Sequence, residues 1–472
     1  MKNYTPTIGL EIHAELKTRT KMFCDSPNDP DETRPNQNIC PVCMAHPGTL
    51  PVINKEAVRH VLRVGAALGS TLADFTEFDR KSYFYPDIPK GYQISQYEHP
   101  LVSGGALAGV SITRVHLEED TARSIHAGGA SLVDFNRAGV PLMELVTEPA
   151  IHDAETAGNF ARELQLLLRT LGASDANLEK GEMRIEANIS VSSEEGKLGT
   201  KVEVKNLNSF RSVERAIAHE IERQSAVIER GENVSQETRG WDENRQVTFR
   251  QRTKEGSADY RYFPEPDLPK LMISEIPEFS HEALVASLPE LPWKRRERYI
   301  SLGLGKDAVA YIGSDAARSA FFDDVLSTLD GDVKLVMLAA NYLSSDIAGW
   351  LMKEEGRSLT LAPGSFSKLM RMASENKVSS RGAKEVLTLM LEKGGDPETL
   401  AKEGGFEQVS DASALKEAVA RVIAREAGVV EEYRSGKEAA LQYLVGQGMK
   451  ETRGAGNPSL IREILIEEIG KK

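Results

Sequence analysis

A short stretch near the N-terminus carries the residue types of a divalent-metal site. In residues 8–16, apolar and polar side chains alternate with the two-residue period of a half-buried β-strand. Side chains two positions apart on a strand point to the same face, so Glu11, His13 and Glu15 share one face. Two carboxylates beside an imidazole can ligate a divalent cation. The alternative is a surface strand whose polar face meets water.

Two later segments add acidic residues to strand-like sequence. Residues 110–120 alternate and end in Glu118, Glu119 and Asp120, three adjacent acids that repel one another unless a cation or basic groups neutralise them. Glu144 lies within an apolar run of leucine, methionine and valine, where a carboxylate is costly unless it is paired or bound to a cation. These segments favour a metal site built from several strands. They do not decide between Glu118 and Glu119, and a solvated strand end is the alternative for the acidic triplet.

A cationic candidate lies in residues 79–87, an aromatic and charged block. Lys81 within it can meet phosphate oxygens as a point charge. A packed loop is the alternative reading of the same block.

Three cysteines are the only ones in the chain. Cys40 and Cys43 form a Cys-x-x-Cys pair, and Cys24 precedes it, with prolines and glycines around them. This spacing predicts a small zinc knuckle, with buried free thiols as the alternative. Structural zinc takes four ligands, so His46 is the candidate for the fourth, ahead of Asp25 or water. So few cysteines exclude a disulfide scaffold and fit a reducing cytoplasm.

Composition limits the class of protein. A chain of 472 residues should divide into two to four domains. The net charge of −13 argues against a diffuse electrostatic grip on nucleic acid, so any RNA contact must use local basic patches or shape. No run of about 18 apolar residues predicts a membrane span. The N-terminus lacks the apolar core of a signal peptide, and we therefore expect a cytoplasmic protein without membrane contact.

The elements that must position these residues follow from hydrophobic periodicity. Helical spacing predicts helices over 54–68, 153–172 and 209–230, each followed or ended by glycine. Strand signals over 183–191 and 200–205 lie between the last two helices. Mixed strands and helices of this kind predict an α+β fold for the first part of the chain.

Changes in composition predict three domains. A proline-rich stretch closes an N-terminal α+β domain over 1–292, and helical patterns dominate from 293 to 405. The tail, 406–472, holds three predicted short helices and a glycine-rich loop over 446–458. A tail this small buries little core and is marginal alone, which suggests a mobile adaptor.

Several long motifs, in a fixed order from end to end, resemble the B-subunit family of bacterial and organellar tRNA-dependent amidotransferases. Together they are far more specific than any one alone. The motifs are IGLEIH (8–13), CPVC with PGTLP (40–51), FDRKSYFYPD (78–87), YQISQ (92–96), HLEED (116–120), KNLNSF (205–210), DYRYFPEPD (259–267) and GQGM (446–449).

The resemblance implies a cradle-shaped catalytic domain with a mixed or antiparallel sheet, an all-α helical domain and a small helical tail that touches tRNA. It implies a ligase that forms a carbon–nitrogen bond. ATP phosphorylates the side-chain carboxylate of the amino acid on misacylated Glu-tRNA(Gln) or Asp-tRNA(Asn), and ammonia then displaces the phosphate. A separate A subunit of the amidase type supplies the ammonia from glutamine, and a small C subunit holds A and B together.

The resemblance also implies roles for particular residues. Matched position by position, the magnesium ligands are His13, Glu119 and Glu144, with Glu11 close by as a catalytic or water-mediated ligand. Lys81 is the cation expected to assist phosphoryl transfer.

The tail contributes two candidate tRNA contacts. Lys450 and Arg453 lie in its glycine-rich segment and can meet phosphate oxygens. A solvated loop between helices is the alternative.

Two departures from the family pattern stand out. Ser26 occupies the place of a cysteine in members with a full zinc site, and other members lack the cysteines altogether. Ile185 and Glu186 stand where Cys-Asp is usual. A non-catalytic, tRNA-binding scaffold is the competing function, but a subunit without its chemistry should have lost one of the metal acids or the Lys81 block, and all are present.

Overall fold

The computed structural model describes residues 4–194, 196–253, 260–353, 357–408, 412–452 and 456–470. The chain divides into two compact units, Met1–Pro292 and Trp293–Lys472. The first unit is a mixed sheet with helices and the second is helical, which confirms the α+β prediction. The further division of the helical part at residue 405 stays a prediction.

The strands of the first unit are β1 (Thr5–Glu15), β2 (Thr71–Leu72), β3 (Phe75–Thr76), β4 (Asp79–Ser82), β5 (Tyr92–Ser95), β6 (Val102–Ser103), β7 (Ala106–Leu107), β8 (Val110–Glu119), β9 (Arg123–Ala127), β10 (Ala130–Asp134), β11 (Pro141–Thr147), β12 (Met183–Ser192), β13 (Val202–Leu207), β14 (Glu237–Asp242), β15 (Val247–Thr253), β16 (Phe263–Pro264) and β17 (Leu271–Met272). Its helices are α1 (Lys55–Ala67), α2 (Ala154–Thr170), α3 (Phe210–Glu229) and α4 (His281–Ala286), with 3₁₀ turns at Ile273–Glu275 and Pro277–Phe279.

One large sheet organises this unit. Its strand order is β15-β14-β13-β12-β1-β11-β8-β6-β2, with β7 paired to β8. All neighbours in it are antiparallel except β13 and β14. The strand β1 lies between β11 and β12, so Glu11 and His13 are on a central strand of the sheet.

Burial along β1 follows the predicted alternation. Ile8, Leu10, Ile12 and Ala14 are at most 1% exposed and form part of the core. The core also takes the apolar faces of α2 and α3, whose Asp153 and Ser209 caps accept backbone N–H groups at the helix starts. One face of the sheet is therefore covered by apolar packing, and the polar side chains Glu11 and His13 of β1 lie on the opposite face, where they line a cleft.

The second unit contains helices in two apolar clusters. The helices are α5 (Pro292–Ser301), α6 (Lys306–Gly313), α7 (Ala316–Thr328), α8 (Val333–Tyr342), a π-helical turn (Leu343–Ile347), α9 (Ala348–Leu351), α10 (Pro363–Ser374), α11 (Ser380–Lys393), α12 (Pro397–Glu403), α13 (Ala412–Arg425), α14 (Ala427–Arg434), α15 (Glu438–Glu451) and α16 (Pro458–Gly470). One cluster is built from residues between Tyr299 and Ala401, and the other from residues between Leu415 and Ile469.

The glycine-rich segment of the tail differs from its prediction. Its first part, 446–451, is helical because α15 continues to Glu451, and the described part of the tail contains four helices rather than the predicted three. A Cβ atom on Gly448 would lie 2.7 Å from Ile461 of α16. Glycine therefore permits close packing of α15 on α16, and this contact outweighs the low helix propensity of glycine.

Within the ranges that the structure covers, none of the helices is both long and apolar enough to cross a bilayer.

Candidate active site

Strand register brings the metal-type residues of the sequence together. In the antiparallel pairs, His13 of β1 lies opposite Glu144 of β11, and Glu144 lies opposite His116 of β8. Directly opposed residues share a face of the sheet, so these three side chains form a row across three strands. Arg184 of β12 extends the row on the other side of His13. Residues far apart in sequence thus meet through strand pairing alone.

The distances within this row suit a cation site. The Nε2 atom of His13 lies 3.5 Å from an oxygen of Glu144, 3.8 Å from Glu118 and 3.9 Å from Glu11. The Nε2 atom of His116 lies 3.3 Å from Glu144. Ligand atoms of Glu11, His13 and Glu144 lie within 4.8 Å of one another, as do those of His116, Glu118 and Glu144. We call these five residues the carboxylate–histidine cluster.

The electrostatics of the cluster favour the ionised forms of Glu118 and Glu144, whose pKa values are lowered, whereas burial and the neighbouring Glu144 raise the pKa of Glu11. Burial alone tends to raise the pKa of Glu144, but His116 and His13 hold that pKa well below its usual range. Burial tends to lower the pKa of His116, but Glu144 and Glu118 raise it to about 9. Arg114 adds a guanidinium nitrogen 3.6 Å from Glu144. Carboxylate oxygens suit Mg²⁺, and a single imidazole such as that of His13 is less usual for Mg²⁺ than for Mn²⁺, so the residues present fit a hard divalent cation of the kind that the family resemblance implies.

Among the described residues, Glu119 is not brought together with His13 and Glu144, so this geometry does not support its predicted role as a metal ligand. Along β8, His116 and Glu118 share one face and Glu119 points to the other, because strand side chains alternate. The Glu119 carboxylate accepts the backbone N–H of Ile94 at 3.0 Å and pairs with Lys90 at 2.6 Å. Glu118 takes its place in the cluster, where it also accepts the Ser95 hydroxyl at 3.0 Å.

Lys81 lies in the same cleft as the cluster, which has a volume of about 740 Å³. Its ammonium group is 5.2 Å from the centre of the Tyr260 ring. Among the residues that the structure describes, Lys81 has no carboxylate within ion-pair distance. Burial tends to lower its pKa, but Glu118 above all raises that pKa beyond its usual value. A charged, unpaired ammonium facing a cleft can bind an anionic group.

The rest of the cleft contains two ion pairs that strand pairing assembles from separate segments of the sequence. Glu186 faces the cleft and pairs with Lys205 at 2.6 Å, whereas Ile185 beside it is buried in the core. Arg184 pairs with Asp120 at 2.5 Å. The departure of Ile185 and Glu186 from the family pattern therefore alters one core position and one cleft position.

His116 and Glu118 are the functional candidates that sequence reasoning passed over or left open. The sequence contains a signal for them, because apolar Val115 and Leu117 alternate with His116 and Glu118. In the structure Val115 and Leu117 are fully buried. Their parity assigns His116 and Glu118 to the polar face of β8. The family resemblance favours Glu119 by its position in the motif, whereas the alternation of side chains along β8 favours Glu118.

The three cysteines form a second cluster, which we call the thiol cluster. The sulfur atoms of Cys24, Cys40 and Cys43 lie within 4.8 Å of one another. The Sγ atom of Cys43 lies 3.7 Å from the buried ammonium of Lys21 and 3.8 Å from the Ser26 hydroxyl. A hydrogen bond from Cys24, together with Lys21, lowers the pKa of Cys43 to about 4.

The thiol cluster supplies three of the four ligands of a structural zinc site. His46 lines the cavity beside the cluster, but its ring nitrogens are outside the group of mutually close ligand atoms in the described chain. His46 is therefore not brought into position as the predicted fourth ligand. Asp25 also lies outside that group among the described residues, which leaves water of the two alternatives named from the sequence.

The two candidate tRNA contacts of the tail are Lys450 and Arg453. Lys450 is exposed in the last turn of α15 rather than in a loop. Arg453 lies outside the described residues.

The fold and the cleft together define a class of protein. It has an α+β domain, whose cleft contains both a carboxylate–histidine cluster and a lysine ammonium, and a helical C-terminal part. Comparison with known families is specific. The family model described as the GatB/GatE catalytic domain matches residues 6–277, and the model described as the GatB domain matches residues 321–469. The chain belongs to the GatB family.

Curated relatives agree with this membership over 85% to 99% of their own length. The B subunit of the aspartyl/glutamyl-tRNA(Asn/Gln) amidotransferase from one strain of Thermus thermophilus is 46% identical, with 99% of each chain covered. The protein of the same name from Thermomicrobium roseum is 45% identical, again over 99% of each chain. The B subunit of the chloroplastic/mitochondrial glutamyl-tRNA(Gln) amidotransferase from Physcomitrium patens is 41% identical over 99% of this chain and 85% of the relative.

Proposed function

We propose that this chain is the subunit of a tRNA-dependent amidotransferase that activates the substrate carboxylate with ATP. As a family member it is part of a glutamine-dependent ligase that acts on tRNA. The proposed substrates are misacylated Glu-tRNA(Gln), Asp-tRNA(Asn) or both. One observation carries the proposal: His13, Glu118 and Glu144 converge in the cleft that also holds Lys81, whose ammonium has no ion-pair partner among the described residues.

The chemistry explains why such a cleft is needed. The side-chain carboxylate of the tRNA-bound amino acid attacks the γ-phosphorus of ATP, the bond to the β–γ bridging oxygen breaks and ADP leaves, so two anions must approach each other. Charge repulsion then dominates the barrier, and fixed positive charge at the transferring group lowers it. Ammonia next attacks the acyl phosphate, the carbon–nitrogen bond forms, and inorganic phosphate leaves.

The residues of the cleft divide this work. His13, Glu118 and Glu144 would hold Mg²⁺, with Glu11 as an additional or water-mediated ligand. The bound cation would supply neutralisation of the phosphate charge. Lys81 binds a phosphate oxygen as a point charge, and Arg114 lies on the same face for a second contact. His116, buried beneath Glu144, fixes the direction of that carboxylate.

The remaining components of the reaction come from partners. We infer that an amidase-type A subunit releases ammonia from glutamine and that a small C subunit joins the two. The sequence of this chain has no Ser-Ser-Lys amidase signature. The isolated chain should therefore release no ammonia from glutamine, and release above background would contradict this division of labour.

Two further assignments belong to the same proposal. The tail binds tRNA through Lys450 and Arg453, and the thiol cluster holds zinc in a structural role away from the chemistry. The cytoplasmic location stays a prediction, and the P. patens relative is named chloroplastic/mitochondrial.

The test compares this function with that of a non-catalytic, tRNA-binding scaffold. In the assembled complex, Glu144→Ala or His13→Ala should abolish ATP-dependent amidation of charged tRNA while glutamine hydrolysis by the partner survives at least in part. Glu148→Ala is the matched control, because Glu148 follows the same strand but is exposed outside the cleft. Amidation at the parental rate in both cluster variants would favour the scaffold.

A further inference from the structure

One wall of the cleft is aromatic, and the proposed chemistry does not use it. Tyr83, Tyr97, Tyr260 and Tyr262 all line the cleft. Tyr97 keeps 57% of its surface exposed. An exposed aromatic ring inside a cleft that already holds a phosphate-type site calls for a ligand with a flat face.

The Tyr97 ring is part of a prebuilt stack. It lies parallel to the Tyr262 ring, with centroids 4.3 Å apart and an interplanar angle of 10°. Tyr260 packs edge-on against Tyr262 at 6.0 Å and against Tyr83 at 5.8 Å. The backbone N–H of Tyr97 donates to buried Asp79 at 2.8 Å, which fixes the residue at its base. One face of Tyr97 is thus covered by Tyr262, and the ring is held in place from behind.

The stack lies close to the cation of the cleft. Lys81 is 5.2 Å from the ring centre of Tyr260, which contacts Tyr262 in turn. A ligand with a flat ring at one end and a phosphate or phosphate ester at the other would meet both features. Nucleotides have this form, and aromatic side chains bind bases by stacking on their faces.

We propose that the open face of Tyr97 stacks on an adenine base of a substrate. The proposal rests on the function proposed above, in which two substrates carry an adenosine: ATP, and the 3′-terminal nucleotide of tRNA. Both offer the same purine face, so the chemistry of recognition is shared. The stack therefore acts in substrate binding, and the carboxylate–histidine cluster acts in the chemical step.

The test uses the assembled enzyme with Tyr97→Ala and Tyr97→Phe. Removing the ring should raise KM for one adenosine-bearing substrate about 5- to 100-fold, the range for loss of one base–aromatic stack. The value of kcat should change little, because the interaction is uniform along the reaction. Tyr97→Phe keeps the ring and should keep both parental KM values.

Varying ATP at saturating charged tRNA, and then charged tRNA at saturating ATP, identifies the source of the base. A rise in KM for ATP alone assigns ATP, and a rise for tRNA alone assigns the terminal adenosine. Phe84→Ala is the control for loss of an exposed ring, since Phe84 is 89% exposed and is not among the residues lining the described cleft. Both KM values should stay parental in this control.

The proposal is overturned if Tyr97→Ala leaves both KM values unchanged, or if Tyr97→Phe is as impaired as Tyr97→Ala. Thermal melting of each variant checks that the complex is folded. The parental complex must first show ATP-dependent amidation. An inactive parental complex contradicts the proposed function, whereas an active one with unchanged KM values contradicts only the stack.

Discussion

Replacing Glu118 by glutamine should raise the magnesium requirement of the assembled enzyme, whereas the same change at Glu119 should not. The two residues are adjacent in sequence and identical in type, but they face opposite sides of β8. Glu118 is 2% exposed and lies 3.8 Å from the Nε2 atom of His13. The pair therefore separates the role of position from the role of residue type.

The size of the effect follows from the charge removed. Two unit charges 4 Å apart interact by about 4 kcal/mol at an effective dielectric constant of 20, and a divalent ion doubles this value. The remaining ligands and water recover part of the loss. Removal of one strong electrostatic contact in an active site commonly costs about 3–4 kcal/mol, so we expect a loss of about 100-fold or more in activity at limiting Mg²⁺.

The assay measures ATP-dependent amidation of charged tRNA across a magnesium titration. In Glu118→Gln the half-maximal magnesium concentration should rise. In Glu119→Gln it should stay parental, although loss of the buried pair with Lys90 should lower the melting temperature, since breaking a buried ion pair costs about 3–5 kcal/mol.

The opposite result would refute the reasoning. If Glu119→Gln raised the magnesium requirement and Glu118→Gln did not, the residue matched by family resemblance would be the ligand. Strand parity would then be the wrong guide to this site.

The remaining predictions concern the tail, the thiol cluster and one buried histidine. A Lys450→Ala, Arg453→Ala double variant should weaken tRNA binding and reduce its salt dependence by about one ion per lost phosphate contact, and unchanged affinity at every salt concentration would make both residues merely solvated. Freshly purified, reduced protein should contain stoichiometric zinc that is lost in Cys43→Ser, and metal-free parental protein would discard zinc without affecting the phosphoryl-transfer proposal. Burial lowers the pKa of His60, so the unfolded chain takes up a proton near pH 6.5 before the folded chain does, and stability should fall as the pH drops below that value. Thermal melts of parental protein and His60→Gln across this range should show a shallower fall in the variant.

Local sequence was sufficient to predict those features that depend on a single helix or strand. The alternation in β1 and the helices predicted over 153–172 and 209–230 appear where the pattern predicts them. Glu144 could be singled out because a carboxylate in an apolar strand needs a partner wherever that strand lies. These features depend on neighbours within a few residues, and such neighbours are fixed by the covalent chain.

Tertiary structure alone decided which side chains meet. The row of His13, Glu144 and His116 exists because β1 pairs with β11 and β11 with β8, in one register out of several possible. Lys450 lies in α15, whose Gly448 packs closely against Ile461 of the next helix. Register and helix contact are set by the summed burial of many distant residues, so no short segment of the sequence contains that information.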